Sequence, residues 1–145
     1  MKIMPATANS GIRFRRTDLN PSVDIQLRAE QVHDTMLATS LINPLGIRVS
    51  TIDHFLSAVS CLGIDNLLVE LDAPELPILD GSAREVIDSL IYAGSIEQCA
   101  LKKYLLIKKT VSVKDGDKWA LLHPDSKFSV DFTIDFKHPL ISADT

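Results

Sequence analysis

The sequence is short of the features that mark secreted, membrane-spanning and disulfide-stapled proteins. It has only two cysteines, Cys61 and Cys99, without Cys-x-x-Cys spacing, so it indicates neither a disulfide framework nor a thiolate metal site. No apolar run approaches the roughly 18 residues that span a bilayer, and the N-terminus lacks the apolar core of a signal peptide. We therefore expect a protein of the reducing cytoplasm that does not span a membrane.

Positive charge is also scarce. Lysine and arginine number 15 against 19 aspartates and glutamates, which gives a formal net charge of −4. A chain without a basic excess has little to neutralise a phosphate backbone, so nucleic acid is not an expected partner. Hydrophobic residues make up 46% of the 145 residues and charged residues 23%. This ordinary globular composition excludes collagen-like, coiled-coil and wholly disordered chains.

Apolar residues alternate with polar ones along the first part of the chain, as they do in half-buried strands. The alternation covers 12–14 and 23–29, and short apolar stretches at 38–42 and 47–49 indicate two more strands. The stretch 66–71 is more continuously apolar, which is typical of a central strand. These strands predict one β-sheet.

Two helices are expected against one face of this sheet. The sequences at 50–53 (Ser-Thr-Ile-Asp) and 82–85 (Ser-Ala-Arg-Glu) have the capping-box form, in which a serine hydroxyl accepts from an early backbone N–H. Apolar residues follow at helical spacing, and Gly63 and Gly94 stand where the helices should end. Residues 1–100 are therefore expected to form a first domain, an α+β two-layer sandwich.

Residues 101–145 predict the first strands of a second α+β domain. We expect a strand over 104–113, a tight turn at the Asp-Gly pair 115–116 and a returning strand over 118–122. Apolar and polar residues then alternate over 128–136, which places five large apolar side chains on one strand face. No helix follows to cover that face, so this β-meander indicates a truncated domain.

One pair of residues stands out among the candidates for chemistry. The four histidines lack metal-ligand spacing, but His54 follows an acid at a helix N-terminus, where a ligand and a general base can share one cleft. Alternatively, Asp53 only caps the helix and His54 is structural. Two weaker candidates are anion sites at the arginines of 13–16 and at 80–82, but a solvated strand face and a capped turn are the favoured explanations of these residues.

Several segments, in order along the chain, resemble one known family. They are Arg-Arg-Thr-Asp-Leu-Asn-Pro at 15–21, Asp-Thr-Met-Leu-Ala-Thr at 34–39, Ser-Thr-Ile-Asp-His at 50–54, Ala-Pro-Glu-Leu-Pro-Ile-Leu-Asp-Gly-Ser-Ala at 73–83 and Asp-Gly-Asp-Lys-Trp-Ala at 115–120. In all of them the chain is similar to the bacterial UDP-3-O-acyl-N-acetylglucosamine deacetylases of lipid A biosynthesis. So many co-linear matches are more specific than a single motif.

The resemblance implies a cytoplasmic, zinc-dependent hydrolase with its active site between two similar domains. Such an enzyme removes the N-acetyl group of UDP-3-O-(3-hydroxyacyl)-N-acetylglucosamine as acetate, with a carboxylate as general base. By position, the resemblance makes His54 a zinc ligand and Asp53 the general base. It also makes Met36, Leu37 and Ala38 the strand that helps to shape the substrate site.

The chain departs from the family pattern in three respects. The family's opening strands are missing, the other two zinc ligands and the acyl-chain passage have no counterpart, and Asp53 replaces a glutamate that is one methylene longer. We therefore expect an N-terminal portion with an incomplete Zn²⁺ site that is inactive alone. Two other interpretations stay open. One is a split enzyme whose missing half is a separate chain, and the other is a non-catalytic homologue that binds a nucleotide-sugar or a protein partner.

Overall fold

The computed structural model describes residues 1–36 and 38–135, and their mixture of helices and sheets confirms the predicted α+β class. The chain divides into two units, Met1–Lys102 and Lys103–Thr145. In the first unit the strands are β1 (Lys2–Pro5), β2 (Ile12–Arg16), β3 (Val23–Gln26), β4 (Val32–Asp34), β5 (Ser40–Ile42), β6 (Arg48–Val49) and β7 (Leu67–Leu71), and the helices are α1 (Asp53–Cys61) and α2 (Arg84–Ala93).

The strands of the first unit form two sheets instead of the single predicted one. The larger sheet has the order β1-β7-β2-β3, with β2 parallel to β7 and the other neighbours antiparallel. β7 is flanked on both sides, as its continuously apolar sequence predicts. β4, β5 and β6 form a separate antiparallel sheet. These strands have only two or three residues and short connections, so they pair with each other locally.

One face of the larger sheet is apolar and packs against both helices. The register places Phe14 beside Val69, and neither has any exposed surface. From α1, Phe55 enters the same core and meets the Phe14 ring edge-on, with 6.0 Å between the ring centroids. From α2, Val86 and Leu90 join this core. The apolar alternation in the sequence therefore marks the face that carries the helices.

Neither helix begins with the predicted capping box. Ile52 and Ala83 occupy the cap positions of α1 and α2, and neither makes a side-chain cap hydrogen bond. Ser50 lies outside α1, in a bridge to another segment. The hydroxyl of Ser82 accepts from the Arg84 N–H at 3.2 Å, closer to the predicted arrangement.

The predicted glycine ends of both helices are confirmed. Gly63 directly follows Leu62, the C-cap residue of α1, and has a φ of 66°. Gly94 is the C-cap residue of α2 and has a φ of 80°. Only glycine adopts this left-handed backbone readily.

The two helices have 9 and 10 residues. Within the described residues, no helix is long and apolar enough to cross a bilayer.

The second unit contains a two-stranded hairpin. β8 (Val111–Asp115) pairs antiparallel with β9 (Lys118–Leu122), so the first strand is shorter than predicted. Asp115 pairs with Lys118, which makes Gly116-Asp117 the turn, one residue later than predicted. Gly116 has a φ of 61°, at the first central position that type II′ turns give to glycine.

The third strand predicted for the second unit is not formed in its described part. Residues 128–135 carry one isolated bridge residue, Ile134, and no strand, while position 136 lies outside the described residues. Phe128 and Phe132 are 89% and 70% exposed. Alternation alone does not make a strand, because a strand needs a neighbour for its backbone groups and a cover for its apolar face.

One charged side chain lies on the apolar face of the larger sheet. Arg16 is only 7% exposed, and its guanidinium donates to both carboxylate oxygens of Asp18 at 2.7 and 2.6 Å. It also donates to the backbone carbonyl of Arg48 at 2.7 Å, which joins β2 to β6. The hydrogen bonds from Arg16 hold the pKa of Asp18 below its ordinary value of 3.8. Charge-assisted bonds of this kind are stronger than neutral ones.

Phe55→Ala is expected to destabilise the chain by about 3–5 kcal/mol, because it leaves a cavity beneath α1. Urea denaturation followed by circular dichroism measures this free energy. Ser57→Ala, on the exposed side of the same helix, should change it by no more than about 0.5 kcal/mol. Equal effects of the two substitutions would contradict the docking of α1 through Phe55.

The Arg16 contact predicts a specific acid dependence of stability. Because the pKa of Asp18 is lowered in the folded state, its stabilisation is present above the ordinary value of 3.8 and is lost as the pH falls through the lowered pKa. Asp18→Asn should lower the urea midpoint at pH 7 and remove part of this acid dependence. The control Asp88→Asn, at an exposed position of α2, should change neither; identical curves for the two variants would refute the prediction.

Candidate functional site

The candidate site lies at the N-terminus of α1. Asp53 and His54 are the first two residues of this helix, Asp53 exposed and His54 half-buried. Phe55 follows directly and is 2% exposed in the core. Because the helix docks through its third residue, the positions of the two polar residues before it are tied to the core of the first unit.

The backbone of Thr39 contacts the start of α1 through both of its polar groups. Its N–H donates to Oδ2 of Asp53 at 2.9 Å, and its carbonyl accepts from the Ile52 N–H at 3.4 Å. Partial burial is the largest single influence and raises the pKa of Asp53. The hydrogen bonds from Thr39 and from the backbone of Asp53 itself, together with the neighbouring His54, outweigh it, so this pKa lies below its ordinary value. Asp53 is therefore a carboxylate at neutral pH, the form that a general base requires.

The ring of His54 carries an unpaired polar atom. Its Nδ1 is buried and has no hydrogen-bond partner among the described residues. A buried polar atom without a partner costs about 1–3 kcal/mol, so this nitrogen is suited to a bond with a further group. Imidazole nitrogens are the commonest metal ligands in proteins.

The donor set around His54 is nevertheless too small for catalytic zinc. Within 1–36 and 38–135, no three histidine, cysteine, aspartate or glutamate side chains come together. A catalytic zinc ion ordinarily takes three protein ligands and one water. The described residues therefore do not complete a catalytic zinc site by themselves.

The structure corrects the predicted strand at the substrate site. Met36 and Ala38 lie in bends between β4 and β5, and Leu37 is outside the described residues. The strand begins only at Ser40, because the N–H and carbonyl of Thr39 are both used at the start of α1 and are not free for a ladder. Since Ala38 directly precedes Thr39, this bend still runs beside Asp53.

Two further residues border the site, and their contacts there are not marked by the sequence. Thr51 is 5% exposed, and its φ of 59° is unusual for a β-branched residue. Its hydroxyl donates to Oε1 of Glu75. Ser50 bridges the same segment, with its N–H donating to Pro74 at 2.9 Å and its carbonyl accepting from Leu76 at 3.1 Å. No local signal could reveal this pairing, because the partners are far apart in the sequence.

The arginines considered as an anion site all have acidic partners. Arg13 and Arg15 lie on the polar face of the larger sheet, at 3.3 and 2.6 Å from the carboxylate of Asp24. Arg16 binds Asp18, as described above. The arrangement favours a structural role for these arginines over phosphate binding.

Comparison with known proteins identifies the family. The family model described as UDP-3-O-acyl N-acetylglycosamine deacetylase (LpxC) matches residues 1–145. Proteins named UDP-3-O-acyl-N-acetylglucosamine deacetylase are similar to this chain in Sodalis glossinidius (52% identity over 143 residues, 99% of this chain and 47% of the relative), Shewanella denitrificans (54% over 142, 98% and 46%) and Photobacterium profundum (53% over 142, 98% and 47%). The chain spans about half the length of these relatives. The resemblance found in the sequence is thus confirmed, and the chain belongs to the UDP-3-O-acyl N-acetylglycosamine deacetylase family.

Proposed function

We propose that this chain supplies the α1 side of a zinc-dependent deacetylase site. Its substrate is UDP-3-O-(3-hydroxyacyl)-N-acetylglucosamine, whose N-acetyl group is hydrolysed to acetate in lipid A biosynthesis in the cytoplasm. The names of the relatives support the substrate class. The observation in the structure that carries the proposal is the buried, unpartnered Nδ1 of His54 at a helix start that also presents a carboxylate.

His54 is proposed as one ligand of the zinc ion. Its neighbour Phe55 anchors the helix to the core, so the imidazole can hold a fixed position before the metal arrives. The remaining ligands come from outside the described residues, either from the half of the relatives that this chain does not match or from a separate chain. A zinc ion held there would supply a Lewis acid that polarises the acetamide carbonyl and activates water.

Asp53 is proposed as the general base that takes a proton from the attacking water. The Thr39 N–H holds Oδ2 at 2.9 Å, which fixes the carboxylate, and the lowered pKa keeps it ionised. Both features carry a cost, because a lowered pKa makes a weaker base and aspartate reaches less far than glutamate. A displacement of about 1 Å in a catalytic group can cost on the order of 100-fold in rate.

The bend before Thr39 is proposed to line the substrate site. Met36 and Ala38 lie in bends there, and the Thr39 contact places the end of this stretch beside Asp53. Leu37, which is outside the described residues, is included by the resemblance alone. Met36 is 82% exposed, so its side chain is accessible to a ligand.

A non-catalytic binding protein is the second candidate. The hydrogen bond from the Thr39 N–H to Asp53 favours this non-catalytic function, because a carboxylate that holds a loop in place needs no catalytic role. The experiments below separate the two functions.

Zinc content and acetate release test the proposal directly. The chain alone should not retain stoichiometric zinc, whereas its fusion to the C-terminal half of the Shewanella denitrificans relative should bind about one zinc ion and release acetate, because the ligand set is then complete. His54→Ala should abolish zinc retention in the fusion. The control His33→Ala, at an exposed histidine of β4, should retain it. Zinc-dependent turnover by the chain alone, or full zinc in His54→Ala, would contradict the proposal.

Substitutions of Asp53 in the same fusion separate catalysis from binding. Asp53→Asn should lower kcat by about 10²–10⁴-fold, because the amide cannot accept the proton. Asp53→Glu should raise kcat, since it restores the longer side chain, and both variants should keep the zinc content of the parent. An unchanged kcat in Asp53→Asn would assign this residue a structural role and favour the non-catalytic function.

A further inference from the structure

Thr51 holds a backbone conformation that its own chemistry disfavours. Its φ of 59° lies in the left-handed region, which β-branched residues rarely enter, and the residue is 5% exposed. Such a conformation persists only where surrounding contacts enforce it, and it is concentrated at functional sites. Thr51 stands between the last residues of β6 and the first residue of α1, so its conformation sets the direction in which the helix starts.

The contacts that enforce this conformation come from one segment. Two backbone hydrogen bonds attach Ser50 to Pro74 and Leu76, at 2.9 and 3.1 Å. Between them, the Thr51 hydroxyl donates to the carboxylate of Glu75. The 74–76 segment therefore binds the main chain of Ser50 and the side chain of Thr51, two consecutive residues immediately before the helix.

A second segment holds the other side of the same junction. The Ile52 N–H donates to the Thr39 carbonyl, and Asp53 accepts from the Thr39 N–H. The junction from 50 to 53 thus has partners on both sides. Within the junction, the Thr51 side chain binds the 74–76 segment, whereas the Ser50 hydroxyl contacts Ser40 and Arg48 and the Asp53 carboxylate contacts Thr39.

We propose that Thr51 and Glu75 are positioning residues for the Asp53–His54 pair, an inference that rests on the proposed deacetylase function for its catalytic consequence. Neither residue is assigned a contact with the substrate or with the metal. Their hydrogen bond keeps the left-handed turn at Thr51 and so fixes the first turn of α1. The carboxylate and the imidazole two and three residues later then face the site in a fixed arrangement, as groups that orient metal ligands do elsewhere.

The catalytic consequence is measured in the fusion that carries the complete ligand set. Thr51→Val keeps the side-chain shape but removes the hydroxyl, and Glu75→Ala removes the acceptor. Each should lower kcat and zinc affinity by about 10–100-fold, with KM changed by less than about threefold because substrate contacts remain. Thr51→Ser and Glu75→Gln keep a donor and an acceptor and should stay close to the parent, as should Glu97→Ala, at an exposed glutamate outside the junction.

The double variant Thr51→Val, Glu75→Ala tests whether the pair acts as a unit. It should be no worse than the poorer single variant, because both substitutions break the same hydrogen bond. Additive losses would overturn the pairing. An equal loss in Thr51→Ser and Glu75→Gln, or a change in KM that matches the change in kcat, would likewise overturn the positioning role.

Hydrogen exchange on the chain alone tests the structural half without any activity. The Leu56 amide donates to the Ile52 carbonyl at 2.9 Å in the first turn of α1, and the Ile87 amide makes the matching bond to Ala83 in α2. Thr51→Val should speed exchange at Leu56 about tenfold and leave Ile87 unchanged. Unchanged exchange at Leu56, or equal acceleration at both amides, would refute local positioning.

The two experiments fail in different ways. If the parent fusion neither binds zinc nor releases acetate while exchange at Leu56 rises locally, the proposed function is wrong and the structural role of the pair stands. If the parent fusion is active and the Thr51 and Glu75 variants match it, the deacetylase function stands and the positioning role is refuted.

Discussion

The edge-on contact between Phe55 and Phe14 is the interaction on which the organisation of the first unit depends. Phe14 lies at the centre of the apolar sheet face, and Phe55 is the residue through which α1 reaches it. Aromatic pairs of this geometry add to the large area that each ring buries. Because Phe55 follows Asp53 and His54 directly, the packing that stabilises the sheet also determines where these polar side chains emerge.

Core packing determines the position of α1, and hydrogen bonds with two distant segments determine the backbone conformation at its start. Thr39 holds Ile52 and Asp53 from the side of the smaller sheet, and the segment around Glu75 holds Ser50 and Thr51. The helix therefore starts from a turn with bonded partners on both sides, without a side-chain cap. This arrangement explains how a residue type that avoids positive φ can occupy position 51, and why the catalytic candidates lie next to it.

The parts of the fold that depend on periodicity could be predicted, and those that depend on distant partners could not. The alternation of apolar and polar residues predicts the apolar face of the sheet, and Gly63 and Gly94 predict the helix ends, because these signals are local. The capping box at 50–53 was wrong since Ser50 binds a remote segment, and the strand at 128–136 was wrong over its described part, where an isolated bridge at Ile134 forms instead of a ladder. Asp53 and His54 are candidates that local position and resemblance suggest, whereas the Thr51 contact with Glu75 exists only in the folded chain.

We propose above all that the imidazole of His54, whose Nδ1 has no partner among the described residues, belongs to a metal site that this chain shares with residues outside its described part. A crystal structure of the zinc-loaded fusion, with anomalous data on both sides of the zinc edge, tests this claim most directly. We expect a zinc peak at about 2.0–2.1 Å from a ring nitrogen of His54, with the Asp53 carboxylate near it but not bound. A zinc peak elsewhere, or a His54 ring paired with a protein group instead, would contradict the account.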